Sequence, residues 1–106
     1  MLTDQSSMMD ERVLRALADP LRLRLLTLLA GEQLCTCHLV EATGATQTNL
    51  SNHLRVLRDA GLVETEPAGR YTYYRIIPQQ LEGLATRFGE LAASARGAAK
   101  AKRPCG

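Results

Sequence analysis

The sequence predicts one mainly α (α+β) domain, with about five helices and a single β-hairpin. Three observations favour this class. The chain has 106 residues, the usual size of one domain. Apolar residues recur at helical spacing along most of it and alternate with polar ones only after Gly61. Aromatic residues make up only 4%, so leucine, valine and alanine must form the core, and a chain this small leaves apolar surface for a partner subunit.

Two helices are predicted at the start of the chain. The first spans residues 8–17, where apolar side chains fall on one stripe. Asp19 and Pro20 then begin the second, at residues 21–30, because aspartate accepts from free N–H groups and proline suits the first helical turn. Gly31 ends that helix.

The next two helices are joined by a tight turn. A short segment at residues 34–43 carries a helix of no more than about two turns, closed by Gly44. Thr46 caps a fourth helix over residues 47–60, which Gly61 ends. Two short helices connected in this way predict a helix-turn-helix.

A β-hairpin is predicted after the fourth helix. Uncharged and acidic residues alternate over 63–67, residues 68–70 form a turn, and residues 71–77 are rich in strand formers. The order of helices, hairpin and further helix fits a winged helix-turn-helix, in which the hairpin is the wing.

The last helix is predicted over residues 79–95, after Pro78 breaks the strand. Its apolar positions form one unbroken stripe: Leu81, Leu84, Ala85, Phe88, Leu91, Ala92 and Ala95. That stripe is too long for one small monomer to cover, which favours a dimer. We therefore expect a domain at residues 1–95 and a flexible basic tail at residues 96–106.

The charge distribution limits how the chain could bind nucleic acid. The net charge of +2 divides into an excess of +5 in residues 70–106 and a small negative balance elsewhere. This is not the broad basic field of a purely electrostatic binder, so DNA binding would need a local surface, present in two copies. No apolar run reaches the roughly 18 residues of a membrane span, and the N-terminus does not resemble a signal peptide. We expect a cytoplasmic protein.

The fourth helix carries the residues best suited to reading DNA. If Leu50, Leu54 and Leu57 face the core, a polar set faces outward. The members of this DNA-reading face are Gln47, Thr48, Asn49, Ser51, Asn52 and Arg55. Carboxamides pair with adenine, guanidinium with guanine, and hydroxyls with base edges or phosphate. No Glu or Lys occurs at residues 47–58, although a merely solvated helix face, which is the alternative, normally uses them.

Two further side chains accompany this face. Arg70, in the hairpin turn, suits a minor groove, whose negative potential attracts arginine; the alternative is an exposed turn residue. His53 lies at the edge of the buried stripe, and we interpret it as a packing and hydrogen-bonding residue rather than a base reader.

Three cysteines, Cys35, Cys37 and Cys105, suggest free thiols rather than a disulfide framework, because the cytosol keeps thiols reduced. The Cys-x-Cys pair can converge on one soft ion, such as arsenite, cadmium, lead, zinc or copper(I). The alternative is that both cysteines only pack in the core.

Several runs of the sequence resemble the ArsR/SmtB family of bacterial metal-sensing repressors. They are LADPLRLRLL at 17–26, SNHLRVLRDAGLV at 51–63 and GRYTYYR at 69–75. The resemblance is collinear from about residue 12 to residue 91. It implies a homodimer paired through its first and last helices, which represses a promoter until an inducer ion binds.

The segment at residues 34–39 resembles the family's Leu-Cys-x-Cys-Asp-Leu inducer site, with two departures. Val40 stands where the arsenic pattern often has a third cysteine, and His38 stands in place of the aspartate. A three-coordinate arsenite site would therefore need Cys105, from the same chain or its partner, while His38 would suit zinc. The family's other sensing site uses Asp and His on the terminal helix, and residues 79–95 contain neither.

The sequence thus predicts a repressor of double-stranded operator DNA, released by a thiolophilic ion. Arsenite, As(III), is the first expectation, with metal ligands Cys35, Cys37 and Cys105; Cd, Pb, Zn or Sb remain open, and no cofactor is needed for DNA binding. A redox or reactive-sulfur sensor on the same fold is a second reading. A thiol metal-binding protein without DNA function and a winged-helix interaction module are two others. An enzyme is not expected, since there is no Cys-x-x-Cys motif, acid–base pair near the thiols or cofactor loop.

Overall fold

A computed structural model of the protein describes residues 11–105. The first helix, α1, covers residues 11–17 of this range, and the predicted residues 8–10 lie outside it. The remaining elements follow in chain order: α2 (Pro20–Gly31), β1 (Leu34–Cys35), α3 (Thr36–Thr43), α4 (Gln47–Asp59), β2 (Val63–Ala68), β3 (Tyr71–Ile76) and α5 (Pro78–Gly97). The described residues therefore have the predicted order of helices and hairpin, with one strand added.

The helix boundaries follow the predicted caps. Asp19 accepts hydrogen bonds from the N–H groups of Leu21 and Arg22 at the start of α2. Thr46 accepts from the N–H of Asn49 at the start of α4. Gly44, after α3, has φ +75°, a conformation that favours glycine and turns the chain sharply into α4.

The core is aliphatic, as the shortage of aromatic residues predicts. Its largest fully buried side chains come from four helices and the start of the sheet: Val13, Leu25, Leu39, Leu50, Leu54, Leu57, Leu62 and Val63. The three leucines of α4 are therefore inward, as predicted. This contact fixes the roll of α4 about its axis and so determines which of its side chains face solvent.

The sheet corrects the prediction of a single hairpin. It has three strands in the order β1-β3-β2, so β3 lies in the middle and the hairpin strand β2 is at one edge. The added strand, β1, pairs antiparallel with β3, with Leu34 opposite Tyr74 and Cys35 opposite Tyr73. A strand of two residues is too short to show a period, which explains why the pattern did not predict it.

The last helix projects from the rest of the chain. It ends at Gly97, two residues later than predicted, because alanine and arginine continue a helix readily. Leu84 is buried, whereas Phe88 and Leu91 are 52% and 66% exposed. The stripe therefore leaves apolar side chains uncovered on one chain. None of the described helices is long and apolar enough to cross a membrane.

Candidate DNA-reading surface and thiol site

All six members of the DNA-reading face on α4 are exposed. Within the face, Arg55 Nη2 donates to Asn52 Oδ1 at 3.2 Å, so the guanidinium and the carboxamide lie side by side. The face offers donors and acceptors without a carboxylate, which is the chemistry that base edges and phosphates require. All six side chains are therefore accessible, as contact with base edges or phosphates requires.

A network around Arg22 holds α4 against the first two helices. Arg22 Nε donates to the carbonyl of Ala16 at 2.6 Å, and Nη2 donates to that of Arg15 at 3.2 Å. Its third bond is from Nη1 to Nδ1 of His53, at 3.0 Å. Since arginine only donates, Nδ1 of His53 is an acceptor here. The structure therefore gives His53 the predicted hydrogen-bonding role and adds Arg22, which sequence reasoning did not single out.

The wing presents Arg70 at its tip. Arg70 is exposed and follows Gly69, whose φ of +64° makes the tight turn between the strands. Behind the tip, Arg75 bridges two carboxylates of β2: Nε to Glu64 at 2.8 Å and Nη1 to Glu66 at 2.7 Å. These exposed ion pairs tie the two strands together on one face and add little stability by themselves.

Three potential metal ligands meet at the start of α3. The ligand atoms of Cys35, Cys37 and His38 all lie within 4.8 Å of one another. Cys35 is buried, at 4% exposure, while the other two are exposed, so the cluster is open on one side. Cys35 and His38 also form a reciprocal cap of α3: the N–H of Cys35 donates to Nδ1 of His38 at 3.2 Å, and Cys35 Sγ accepts from the N–H of His38. Nδ1 of His38 is also 3.2 Å from Cys35 Sγ.

The two thiols of the cluster have different proton affinities. Burial opposes ionisation of Cys35, but a hydrogen bond from the Cys37 side chain and bonds from N–H groups at the start of the helix outweigh it, so the pKa of Cys35 is lowered. The pKa of Cys37 is raised, first by its hydrogen bond to Cys35 and then by burial and the neighbouring negative charge. Cys35 is therefore the thiol that ionises first, and the thiolate is the form that binds a metal.

The cluster fits a thiolophilic ion better than a hard one. Two sulfurs and one imidazole nitrogen are the donors that zinc, cadmium and related ions prefer, and magnesium or calcium would need oxygen ligands. Cys105 is exposed and free, and it does not belong to the group that the described residues of one chain bring together. The third member of the cluster is His38, which the sequence predicts only as a ligand for zinc.

Sequence reasoning also missed the link between this cluster and the wing. Cys35 pairs with Tyr73 across β1 and β3, and the ring of Tyr73 lies 6.1 Å from that of His38, at 54°. That separation and tilt are typical of interacting ring pairs. The thiol site thus contacts both the helix-turn-helix and the wing.

Comparison with known proteins agrees with this architecture. The family described as "Bacterial regulatory protein, arsR family" matches residues 19–65. The "Transcriptional repressor SmtB homolog" of Synechocystis sp. is 39% identical over 84 residues, covering 79% of this chain and 63%, less than two thirds, of that protein. The "Arsenical resistance operon repressor" of Bacillus subtilis is 37% identical over 75 residues, covering 70% of this chain and 71% of that protein.

The fold matches as well. The solution structure of a homodimeric winged helix-turn-helix DNA-binding domain from Mycobacterium bovis, described as a possible ArsR-family transcriptional regulator, superposes with a TM-score of 0.72. It is 28% identical and covers 96% of this chain and 94% of that one. These matches agree with the prediction of a regulator rather than an enzyme. The chain belongs to the ArsR family of bacterial regulatory proteins.

Proposed function

We propose that the protein is a transcriptional repressor that binds operator DNA and is released by a thiolophilic ion. One observation carries the proposal: the cluster of Cys35, Cys37 and His38 sits at the start of α3, and one turn of chain separates α3 from the exposed DNA-reading face of α4. This arrangement supports an ion sensor on the helix next to the one that reads DNA. Leu39 of α3 and Leu50 of α4 are buried in the same core cluster, so a displacement of α3 is felt by α4.

The proposed mechanism is coupling between two ligands. When Cys35 and Cys37 are both bound to an ion, α3 is held in a different position, and the two DNA-reading helices of a dimer no longer match successive major grooves. Half-sites one helical turn apart require these helices to lie about 34–36 Å from each other. A coupling free energy of about 1–3 kcal/mol would reduce DNA affinity roughly 5–150-fold.

The acting unit is a homodimer paired through α1 and α5. The exposed Phe88 and Leu91 support this proposal, because a helix with such side chains uncovered is stabilised by a second copy. The homodimeric state printed for the Mycobacterium bovis domain supports it too. Two copies also double the local DNA surface, which compensates for the low net charge of the chain.

Arsenite is the first ion to test, with the third sulfur supplied by Cys105 from either protomer. The Bacillus subtilis relative is named for arsenical resistance, whereas the Synechocystis relative is named for SmtB. The names of the relatives therefore do not select the ion. The geometry of the cluster favours a second candidate, a divalent ion such as zinc or cadmium bound by Cys35, Cys37 and His38.

The experiment is a fluorescence-anisotropy titration of the purified chain on a duplex from its own promoter, with a scrambled duplex as control. Arsenite, antimonite, cadmium, lead and zinc are then added separately. We expect preference for the promoter duplex and release by at least one ion. Equal affinity for both duplexes would refute the DNA function, and equal affinity with and without every ion would refute the sensing function.

Variants then assign the ligands. Cys35→Ser should keep DNA binding and abolish induction. Cys105→Ser should abolish the arsenite response alone if the third sulfur is needed, and His38→Ala should abolish the zinc and cadmium responses alone. Oxidant-dependent release without any ion response would instead favour the redox reading. Metal binding without preference for any duplex would favour a metal-binding protein.

The DNA-reading face is tested separately. Asn52→Ala or Arg55→Ala should each weaken operator binding by about 1–3 kcal/mol and relax base preference at the position read. Arg96→Ala, an exposed arginine on α5, is the matched control and should leave binding within about 0.5 kcal/mol of wild type. Unchanged base preference in both test variants would refute the assignment of this face.

A further inference from the structure

The thiol cluster is attached to the wing as well as to α3. Cys35 belongs to β1, an edge strand whose whole pairing is with β3. β3 is the central strand, paired with β1 on one side and with β2 on the other, and the turn at residues 69–70 joins it to β2. From Tyr73 to Arg70 the chain runs three residues, or about 10 Å of extended strand.

The contact between His38 and Tyr73 extends this attachment to side chains. Their ring centroids are 6.1 Å apart, within the range of interacting rings. Tyr73 lies directly opposite Glu66 on β2, and Glu66 is bound by Arg75, the next residue on the same face of β3. Tyr73 is therefore fixed to the hairpin by backbone pairing, and the Arg75–Glu66 ion pair lies beside it.

His38 cannot keep all its present contacts when it joins the ligands of an ion. Its Nδ1 lone pair now accepts the N–H of Cys35, and one lone pair serves either that N–H or a metal ion. If Nδ1 becomes the ligand, the cap of α3 opens; if Nε2 does, the ring must turn to aim that nitrogen at the sulfurs. The first outcome removes a hydrogen bond that now holds the ring beside Tyr73, and the second turns the ring itself.

From these contacts we propose that Tyr73 is a positioning residue that couples the thiol cluster to the wing, so that ion binding displaces Arg70 from its place on DNA. The proposal rests on the proposed repressor function and adds to it a second route, from α3 through His38 and Tyr73 to the wing tip. It also gives a role to the position of Cys35 in the edge strand β1, next to the two ligands on α3.

The test uses the full chain, cadmium as the probe and two readouts. In the first, the amide NMR signals of Gly69 and Arg70 are followed without DNA as cadmium is added. We expect both signals to shift in wild type and in Tyr73→Phe, which keeps the ring, and to stay in place in Tyr73→Leu, with cadmium affinity the same in all three. The second readout is the ratio of operator Kd with and without cadmium. We expect roughly 5–150-fold for wild type, the same for Tyr73→Phe, and a value near one for Tyr73→Leu.

The outcomes separate this inference from the proposed function. Cadmium that binds wild type without moving the Gly69 and Arg70 signals overturns the wing route and leaves the repressor proposal standing. Signals that move in a protein with no duplex preference overturn the repressor proposal and support the wing route. A Tyr73→Leu variant with the full Kd ratio overturns the coupling role of Tyr73. Should that variant melt near the assay temperature, the wild-type NMR titration still decides whether the wing responds.

Discussion

Replacing Arg22 by alanine should destabilise the protein more than replacing Arg24, the other arginine of α2, by alanine. Arg22 donates three hydrogen bonds: to the carbonyls of Arg15 and Ala16 at the end of α1, and to Nδ1 of His53 on α4. The truncation leaves all three acceptors without this donor. Arg24, the other arginine of α2, donates one bond, to the carbonyl of Ala42, from an exposed position.

The magnitude follows from the number and burial of these bonds. A hydrogen bond involving a charged group contributes about 1.5–3 kcal/mol when it is well shielded. Arg22 is half-buried, so water replaces part of what is lost, and we take about 1–3 kcal/mol for the three bonds together. For a domain of this size, that loss lowers Tm by about 5–20 °C.

The assay is thermal unfolding by circular dichroism at one fixed protein concentration, because the proposed dimerisation would make Tm depend on concentration. Arg24→Ala is the matched control, and Arg22→Lys keeps the charge while removing the planar fork that reaches three acceptors. We expect Arg22→Lys to recover only a minor part of the loss. A Tm for Arg22→Ala equal to that of Arg24→Ala would show that the network does not stabilise the fold.

Three further predictions concern a cap, the thiol pair and the dimer. Hydrogen bonds from the N–H groups of Arg22 and Leu21, with the nearby positive charges, lower the pKa of Asp19 below its ordinary 3.8. The stabilisation by Asp19 is therefore fully present above pH 3.8 and is lost as pH falls through the lower pKa of the folded state. The Tm difference between wild type and Asp19→Ala should accordingly be largest near neutrality and should shrink below pH 3.8. Cys35→Ala should lower the pH at which Cys37 ionises, followed by ultraviolet thiolate absorbance, because the hydrogen bond and the neighbouring charge that raise its pKa are removed; an unchanged midpoint would contradict this coupling. Phe88→Ser combined with Leu91→Ser should shift the protein from dimer to monomer in analytical ultracentrifugation, and a persistent dimer would place the interface elsewhere.

Most of the fold could be predicted from the sequence because its signals are local. Asp19 and Thr46 are side chains that satisfy helix N–H groups within three residues, and Gly44 adopts a backbone conformation that other residues avoid. The inward leucines of α4 follow from the helical period alone. The same period predicts the exposure of Asn52 and Arg55, since a helix with one face buried must turn the other to solvent.

The parts that could not be predicted depend on contacts between distant residues. Arg22 and His53 are 31 positions apart, and β1 and β3 pair Cys35 with Tyr73 over an even longer separation. No periodicity reports such pairings.

The thiol site lies between these two cases. The Cys-x-Cys spacing predicted two ligands that converge, and both are in the cluster. The sequence predicts Cys105 as the third ligand on chemical grounds, because arsenite prefers sulfur and the chain has only one other cysteine. The described chain instead places His38 beside the pair, since a residue three positions after a helix cap returns to the cap by helical geometry. Cys105 can complete an arsenite site only by reaching this cluster from the end of α5, whereas His38 is already there. The comparison of Cys105→Ser with His38→Ala therefore measures which residue determines the ion that is sensed. A response lost only in Cys105→Ser indicates a third sulfur ligand, and a response lost only in His38→Ala indicates the imidazole that the helix holds beside the two cysteines.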